Sequence, residues 1–315
     1  MADVIRDVVT LGEAMVVVRP SDEAPVAEAT GFVMGVAGAE SNLSVGLARL
    51  AHRVAFVGRV GADVAGTRVR RTLRGEGVDV DALHTMSDAP TGLLVRDVTG
   101  TRGISVDYHR TGSAGSQLSP EDLDGDLIAS ARFLYVTGLT CGLSADAHSA
   151  VTVAVEMARE AGRTVVLDPN LRSKLQDLAT WRELVAPLLH SADIVVGSAA
   201  ELRTVTGEPD DDTAIARTRD AGVGLLVVRG GTAPVRVIAG DTEHEVPVAP
   251  VAPVDPVGAG DAFSVGLVSG LLDGLTMLDA VARAQQVARR CVLVRGDIEG
   301  LPTRDQLLDD DEVAR

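Results

Sequence analysis

The nine residues Asp255 to Phe263 read D-P-V-G-A-G-D-A-F, and their types and order suit phosphate chemistry. Pro253 and Pro256 oppose helix before the run, while Ala262 to Leu272 (A-F-S-V-G-L-V-S-G-L-L) is apolar and helix-length. Gly258, Ala259 and Gly260 therefore fall at the N-terminus of a buried helix. There the first backbone N–H groups lack intrahelical partners and the helix dipole is positive, so an anion that comes close is held. Small residues at all three positions permit that approach. Asp261 is the odd member, because a first-turn carboxylate repels an anion unless it has its own task. Accepting the proton of a hydroxyl that attacks a phosphoryl group is such a task. The same residues also read as a strand-to-helix turn that needs glycines, with Asp261 as a first-turn charge favoured by the dipole. The chain has no G-x-x-x-x-G-K-[ST], and no G-x-G-x-x-G follows a strand-like run, so neither a P-loop nor a dinucleotide fingerprint competes for the reading.

The elements that must hold this stretch follow from periodicity. Val4 to Leu11 and Arg53 to Val60 read as strands, and Gly38 opens a helix with Leu43, Leu47 and Leu50 at helical spacing. Gly66 to Gly77 reads as an amphipathic helix ended by glycine. Residues 14–36 alternate weakly around Pro20 and Pro25, as short exposed strands or as loop. Leu93 to Val98 and Gly103 to Arg110 form a hairpin joined by T-G-T-R, with Ile104, Val106, Tyr108 and Arg110 on one face. That face suits a flap over a polar, anionic ligand, or an ordinary amphipathic hairpin with Arg at its edge.

From residue 130 the rhythm is strand then helix. The strands are Phe133–Thr137, Thr164–Leu167, Ile194–Val196 and Leu225–Val228. The helices are Ala145–Glu160, Trp181–Leu189, Ala199–Val205 and Thr213–Ala221. Two further strands, Val235–Ile238 and Glu245–Ala249, lead into the glycine-rich stretch, and a last helix runs from Met277 to Arg295. The tail D-D-D-E-V-A-R reads as frayed. This alternation predicts a doubly wound, mostly parallel α/β sheet flanked by helices, with ligands beyond the carboxyl ends of its strands. Asp168-Pro169-Asn170 with Arg172, Ser198 with Glu201, and Arg229-Gly230-Gly231 stand at such ends.

Composition narrows the class. Of 315 residues 46% are apolar but only 2% aromatic, which calls for an aliphatic core of the kind parallel sheets bury. A net charge of −16 speaks against nucleic acid or an anionic membrane as partner, so an anionic ligand must rely on local arginines and backbone dipoles. Cys141 and Cys291 sit in apolar runs and read as buried free thiols of a reducing compartment. No leader-like or membrane-length apolar run appears, and a cytoplasmic setting is the expectation. The histidines lack metal-ligand spacing.

D-P-V-G-A-G-D-A-F resembles the C-terminal signature of ribokinase-like (PfkB-type) sugar kinases. The run Gly38 to Gly66, closing on G-R-V-G-A-D-V-A-G, is similar to the N-terminal signature of that family, so the likeness covers nearly the whole chain. The resemblance implies a ribokinase-like α/β domain (residues 1–12, 37–90 and 114–315) with a small β lid (13–36 and 91–113). It implies an anion hole at Gly258, Ala259 and Gly260, Asp261 as catalytic base, and ATP with Mg2+. Asn170, Ser198, Arg229, Gly230, Gly231, Gly258, Gly260 and Gln285 would face the nucleotide. Glu201 would hold hydrated magnesium through water, although Ser198–Glu201 also reads as a helix cap with a first-turn acid. Some relatives carry a monovalent cation (K+) near the residue matching Asp255. An uncovered lid edge would also allow a homo-oligomer through the lid.

Within the family, G-A-E-S-N, Y-H-R before T-G-S-A-G-S, L-D-P-N-L-R and R-G-D-I-E-G are more similar to 2-keto-3-deoxygluconate kinases. Gly38, Ala39, Asn42, Tyr108, Arg110, Arg172 and Asp297 would then contact a sugar acid. Arginines suit a carboxylate, but each could equally be a salt-bridge partner. Four residues depart from the pattern. Leu94 replaces a substrate-contacting Tyr, Ala233-Pro234 interrupts the nucleotide-loop turn, and Gln285 replaces an adenine-side Asn. The acceptor is therefore expected to be 2-keto-3-deoxygluconate, with fructose or another neutral sugar as the alternative. A sensor without catalysis would have no need of the base in G-A-G-D.

Overall fold

Aliphatic runs such as Val8–Leu11, Val165–Leu167 and Leu226–Val228 are buried on both faces, which only a sheet covered on both sides allows. The computed structural model describes residues 6–22, 24–99 and 103–307. Its strands begin with β1 (Arg6–Leu11), β2 (Met15–Pro20), β3 (Phe32–Ala37), β4 (Val54–Gly61) and β5 (Leu83–Met86). They continue with β6 (Leu93–Thr99), β7 (Gly103–His109), β8 (Ala131–Thr137) and β9 (Thr164–Asp168). The last are β10 (Ile194–Ser198), β11 (Leu225–Gly230), β12 (Ala233–Ala239) and β13 (Thr242–Val246).

The helices are α1 (Ala39–Arg49), α2 (Val64–Gly75), α3 (Gly125–Ala129), α4 (Gly138–Cys141) and α5 (Ala145–Glu160). They are followed by α6 (Leu178–Val185), α7 (Ala199–Thr206), α8 (Asp211–Asp220), α9 (Ala259–Leu272) and α10 (Met277–Cys291). Helix starts are marked in the sequence. Asp63, Ser144, Asp177, Ser198, Asp210 and Thr276 each accept a first-turn N–H at the head of a helix.

Nine strands form the main sheet in the order β13-β12-β11-β10-β9-β8-β1-β4-β5. From β5 to β11 every neighbouring pair is parallel, and β12 and β13 close one edge antiparallel. The chain leaves β1 toward β4 on one side and returns through β8 on the other. The carboxyl ends of β1 and β8 thus flank the switch point where such sheets bind ligands. One aliphatic core packs the sheet against α1, α2, α9 and α10, and a second packs it against α5 to α8.

A separate four-stranded sheet, β3-β2-β6-β7, stands over that end, antiparallel except between β2 and β6. Its inner face forms a third, small cluster of Met15, Val17, Ala37 and Leu94.

Several expectations need correction. Residues 14–36 hold two strands, and β2 is buried rather than exposed, since its Met15, Val16 and Val17 lie between lid and body. β5 was not expected; its L-H-T-M carries one buried residue and no alternation to read. The last helix stops at Cys291 rather than Arg295, because the Val292 carbonyl turns to accept the N–H groups of Val254 and Asp255. The Trp181–Leu189 helix is split, passing into a 3-10 turn over Ala186–Ser191 with Pro187 in its first turn. Most of the T-G-T-R turn, the start of the first strand and the acidic tail lie outside the described residues.

Candidate active site

The glycine-rich stretch enters α9 as expected of an anion site. Gly258 is the N-cap at φ 78°, a left-handed conformation that favours glycine, and a Cβ there would sit 3.0 Å from the Asp297 carbonyl oxygen. No side chain caps the helix, and among the described residues the N–H groups of Gly258, Gly260 and Asp261 have no acceptor. They open on a cavity of about 390 Å3 between the main sheet and the lid.

Asp261, in the first turn of α9, is 7% exposed and lines that cavity. Two carboxamides hold its two oxygens apart. Asn42 Nδ2 donates to Oδ2 at 2.8 Å, and Asn170 Nδ2 donates to Oδ1 at 3.2 Å. Both donors come from sites with unusual backbone. Asn42 sits in α1, whose N-cap Gly38 has φ 142° and leaves no room for a side chain against the Glu13 carbonyl. Asn170 itself has φ 43°, in the left-handed region, where Asn is among the better-tolerated residues. The carbonyl oxygens of both amides are buried without a hydrogen-bond partner in the protein. Hydroxyl donors from a ligand would satisfy them.

Gly38, Ala39, Tyr108, Arg110, Arg172 and Asp297, all expected at the acceptor side, line the same cavity. Arg110 is already matched. Its Nε lies 2.8 Å and its Nη2 2.5 Å from Glu13 Oε2, while Ser113 donates to the other oxygen of Glu13. Tyr108 packs beneath, its ring centre 5.5 Å from the Arg110 guanidinium. Leu94, paired across the lid with Tyr108, contributes an apolar wall. Arg172 is exposed at the cavity rim and forms no ion pair among the described residues.

Arg96 reaches the cavity from β6 and pairs with Asp297 at 3.2 Å and Asp255 at 3.0 Å. Burial pushes the Asp297 carboxyl up to about 7, against the pull of Arg96, with Glu299, Asp261 and Asp255 adding to the rise.

On the other flank, Arg229 donates from Nη1 to the Gly260 carbonyl at 2.9 Å and from Nη2 to Asp168 Oδ1 at 3.1 Å. Asp168 is fully buried, and burial raises it to about 6 although Arg229 opposes the rise. Arg229, Asn170 and Glu201 line the cavity, but Ser198, Gly230, Gly231 and Gln285 do not. Ser198 instead forms a capping box with Glu201, and Gly231 makes the β11–β12 turn at φ 67°. Gln285 donates to the carbonyls of Val246 and Pro247. Ala233 begins β12 beside that turn, a Cβ at Gly230 falling 2.9 Å from it.

The residues fit magnesium held through water. Glu201 Oε1 accepts one N–H, from Leu171 at 3.0 Å, and keeps a lone pair for a metal-bound water. Among the described residues no three acidic, histidine or cysteine side chains gather to bind an ion directly. Asp255 fits a carboxylate-bound monovalent cation poorly. Its oxygens accept from Val257 N and Gly296 N, and Arg96 already balances its charge.

Sequence reasoning missed Glu13 and Arg96, which line the cavity. Glu40, fully buried in the first turn of α1, takes hydrogen bonds at 2.5 Å from Thr137 and Thr140 on one oxygen and has no partner on the other. Burial raises it to about 6. The only signal for Glu13 and Arg96 was charge in runs otherwise apolar or small. Cys141 and Cys291 are free and buried, as expected. No described helix is long and apolar enough to cross a membrane.

The chain is 35% identical over 304 residues to a 2-dehydro-3-deoxygluconokinase of Bacillus subtilis (strain 168), covering 96% of this chain and 94% of that one. It is 34% identical over 307 residues to a fructokinase of Klebsiella pneumoniae, covering 94% and 96%. A solved structure of a fructokinase variant from Vibrio cholerae O395, with fructose, ADP and potassium ion bound, superposes with a TM-score of 0.84. It has 27% identity over 98% of this chain and 99% of that one. The large mostly parallel sheet with its small separate sheet is the ribokinase-like arrangement. The description "pfkB family carbohydrate kinase" matches residues 5–304, so this chain belongs to the pfkB family of carbohydrate kinases.

Proposed function

We propose that this kinase transfers the γ-phosphoryl group of ATP to a primary hydroxyl of a sugar acid, 2-keto-3-deoxygluconate. The observation that carries the acceptor is the charge balance of the cavity. Four arginines line it. Arg96 faces Asp255 and Asp297, Arg110 faces Glu13, and Arg229 faces Asp168 and Glu201. Arg172 alone has no acidic partner among the described residues. One unmatched guanidinium suits one carboxylate, and a neutral hexose has no use for it. The Bacillus relative supports the same acceptor, whereas the Klebsiella relative at 34% identity supports fructose.

In this reading Asn42 and Asn170 aim Asp261, which takes the proton of the attacking hydroxyl. The N–H groups of Gly258, Gly260 and Asp261 hold the phosphoryl oxygens as charge spreads over them. Met15, Leu94 and Val106 line the lid side of the cavity and keep water from competing as acceptor. Magnesium, when bound through Glu201 and water, neutralises phosphate charge. ADP in the Vibrio structure supports the nucleotide assignment.

The test is ADP release with Mg-ATP on 2-keto-3-deoxygluconate, 2-keto-3-deoxygalactonate, fructose and ribose, for the wild type, Arg172→Gln and Arg110→Gln. A keto-deoxy acid should be the best acceptor. Arg172→Gln should lose about 10- to 100-fold in kcat/KM on it, the worth of a charge-assisted bond, and little on fructose. Strongest wild-type turnover on fructose, or equal losses on both acceptors, would refute the sugar-acid assignment and leave the kinase.

A further inference from the structure

We infer that Arg96 is a positioning residue that makes the anion-hole turn answer to the acceptor site. The inference rests on the phosphotransfer reading above. Arg96 belongs to the lid, in β6, and is 1% exposed. Its two partners close a clasp around the head of α9. Asp255 accepts the Val257 N–H at 3.1 Å on one oxygen and the Gly296 N–H at 3.1 Å on the other. Asp297 places its carbonyl 3.0 Å from where a Cβ on Gly258 would be. One guanidinium therefore grips both arms of the clasp that fixes the Gly258 N-cap.

A buried ion triad could serve only to fasten lid to body, and such triads contribute little net stability. A second observation points further. Arg96 Nε and Nη2 are buried without a hydrogen-bond acceptor, since Nη2 meets Asp255 at 3.0 Å but out of alignment. Native proteins seldom leave guanidinium donors empty. These two belong to a residue of the cavity wall, where a hydroxyl or keto oxygen of the acceptor supplies what the protein does not. Acceptor binding then fixes the guanidinium, the guanidinium fixes Asp255 and Asp297, and the N–H groups at Gly258 are set for phosphate.

Two sites linked in this way must show reciprocal coupling. The experiment is calorimetric titration of the non-hydrolysable β,γ-imido analogue of ATP, with Mg2+, in the presence and absence of saturating 2-keto-3-deoxygluconate, for the wild type, Arg96→Lys and Arg96→Met. In the wild type the sugar acid should tighten the analogue by about fivefold or more, the usual scale of coupling between sites. In both variants the gain should fall below about twofold, with the analogue alone bound within about threefold of wild type. Arg96→Lys keeps the charge and loses the fork, so it remains informative if Arg96→Met does not fold. Coupling undiminished in a folded variant, or absent in the wild type, overturns the inference. Because binding is read rather than turnover, the coupling can fail while phosphoryl transfer stands. If the wild type phosphorylates only fructose, the same titration with fructose decides it.

Discussion

As the proposed base, Asp261 needs a lone pair facing the acceptor hydroxyl; the carboxamides of Asn42 and Asn170 fix its two oxygens at the cavity wall, at 2.8 and 3.2 Å. Asp261→Asn replaces an acceptor by a group that cannot take a proton, while keeping shape and burial. We expect the variant to fold, to bind ADP and sugar within about threefold, and to lose two or more orders of magnitude in kcat, the range seen for general bases. Turnover within about tenfold of wild type would remove Asp261 from the chemistry. This residue and its turn were legible because the arrangement is local, with nine consecutive residues carrying the helix start, the open N–H groups and the carboxylate proposed as base. Glu13 and Arg96 were not legible, because what makes them part of the site is a partner far along the chain. Arg110 shows the same limit, since the sequence left it open as ligand contact or salt-bridge partner and folding supplied Glu13 to neutralise it.

α9 is the element on which the site depends, and it is buried almost all round, from Asp261 to Gly270. Glycines make that possible. A Cβ on Gly266 would fall 2.5 Å from Ala284 Cα and 2.7 Å from the Arg283 carbonyl on α10, and one on Gly270 would fall 2.7 Å from Ala280 Cα. Backbone cannot yield as a side-chain tip can, so Gly266→Val forces the helices apart. Overpacking of this kind costs about 1–3 kcal/mol or more, and the β-branched residue recovers nothing through helix propensity. The melting temperature should fall by about 5 °C. Gly75→Ala, at the end of α2 with nothing within 4 Å, should leave it unchanged or slightly higher. Equal melting temperatures for wild type and Gly266→Val would mean the two helices are not in contact there. Helix positions were readable because caps and apolar spacing are local signals, and α5 matches its expected bounds. β5 and the end of α10 were not, since a lone buried leucine and a carbonyl bonded to a distant N–H leave no periodic trace.

At the scale of the whole molecule the mostly parallel, doubly wound sheet follows from alternating strands and helices, whereas its strand order and the edge strand β5 come from the structure. The electrostatic consequence of that packing was not legible in the sequence. The sheet ends crowd carboxylates into buried space. Burial raises Glu40 from an ordinary 4.5 to about 6, Asp168 to about 6 and Asp297 to about 7. A carboxyl whose folded pKa lies above its unfolded value contributes stability that is complete below the unfolded value and lost as pH rises through the folded one. These three therefore stabilise the protein most below about pH 4.5 and least above pH 7. Asp63, Asp177, Asp210 and Asp273 are held below the ordinary carboxylate range, partly by backbone or arginine hydrogen bonds. Their contribution is lost only as pH falls below that range, under about 4. Self-repulsion acts in the same direction as the buried acids, since the net charge of −16 at pH 7 shrinks toward the pI near 4.7. Stability should therefore peak on the acid side, near pH 5, and thermal unfolding of dilute protein should show a melting temperature several degrees higher at pH 5.5 than at pH 8. Glu40→Gln removes one ionisation without changing shape, and its gain over wild type should be about 2 kcal/mol at pH 8 and vanish near pH 4.5. A wild-type melting temperature that is flat or falls from pH 8 to 5.5 would show that these carboxyls are not held neutral by burial. Asp297 would then be ionised beside Arg96 throughout that pH range.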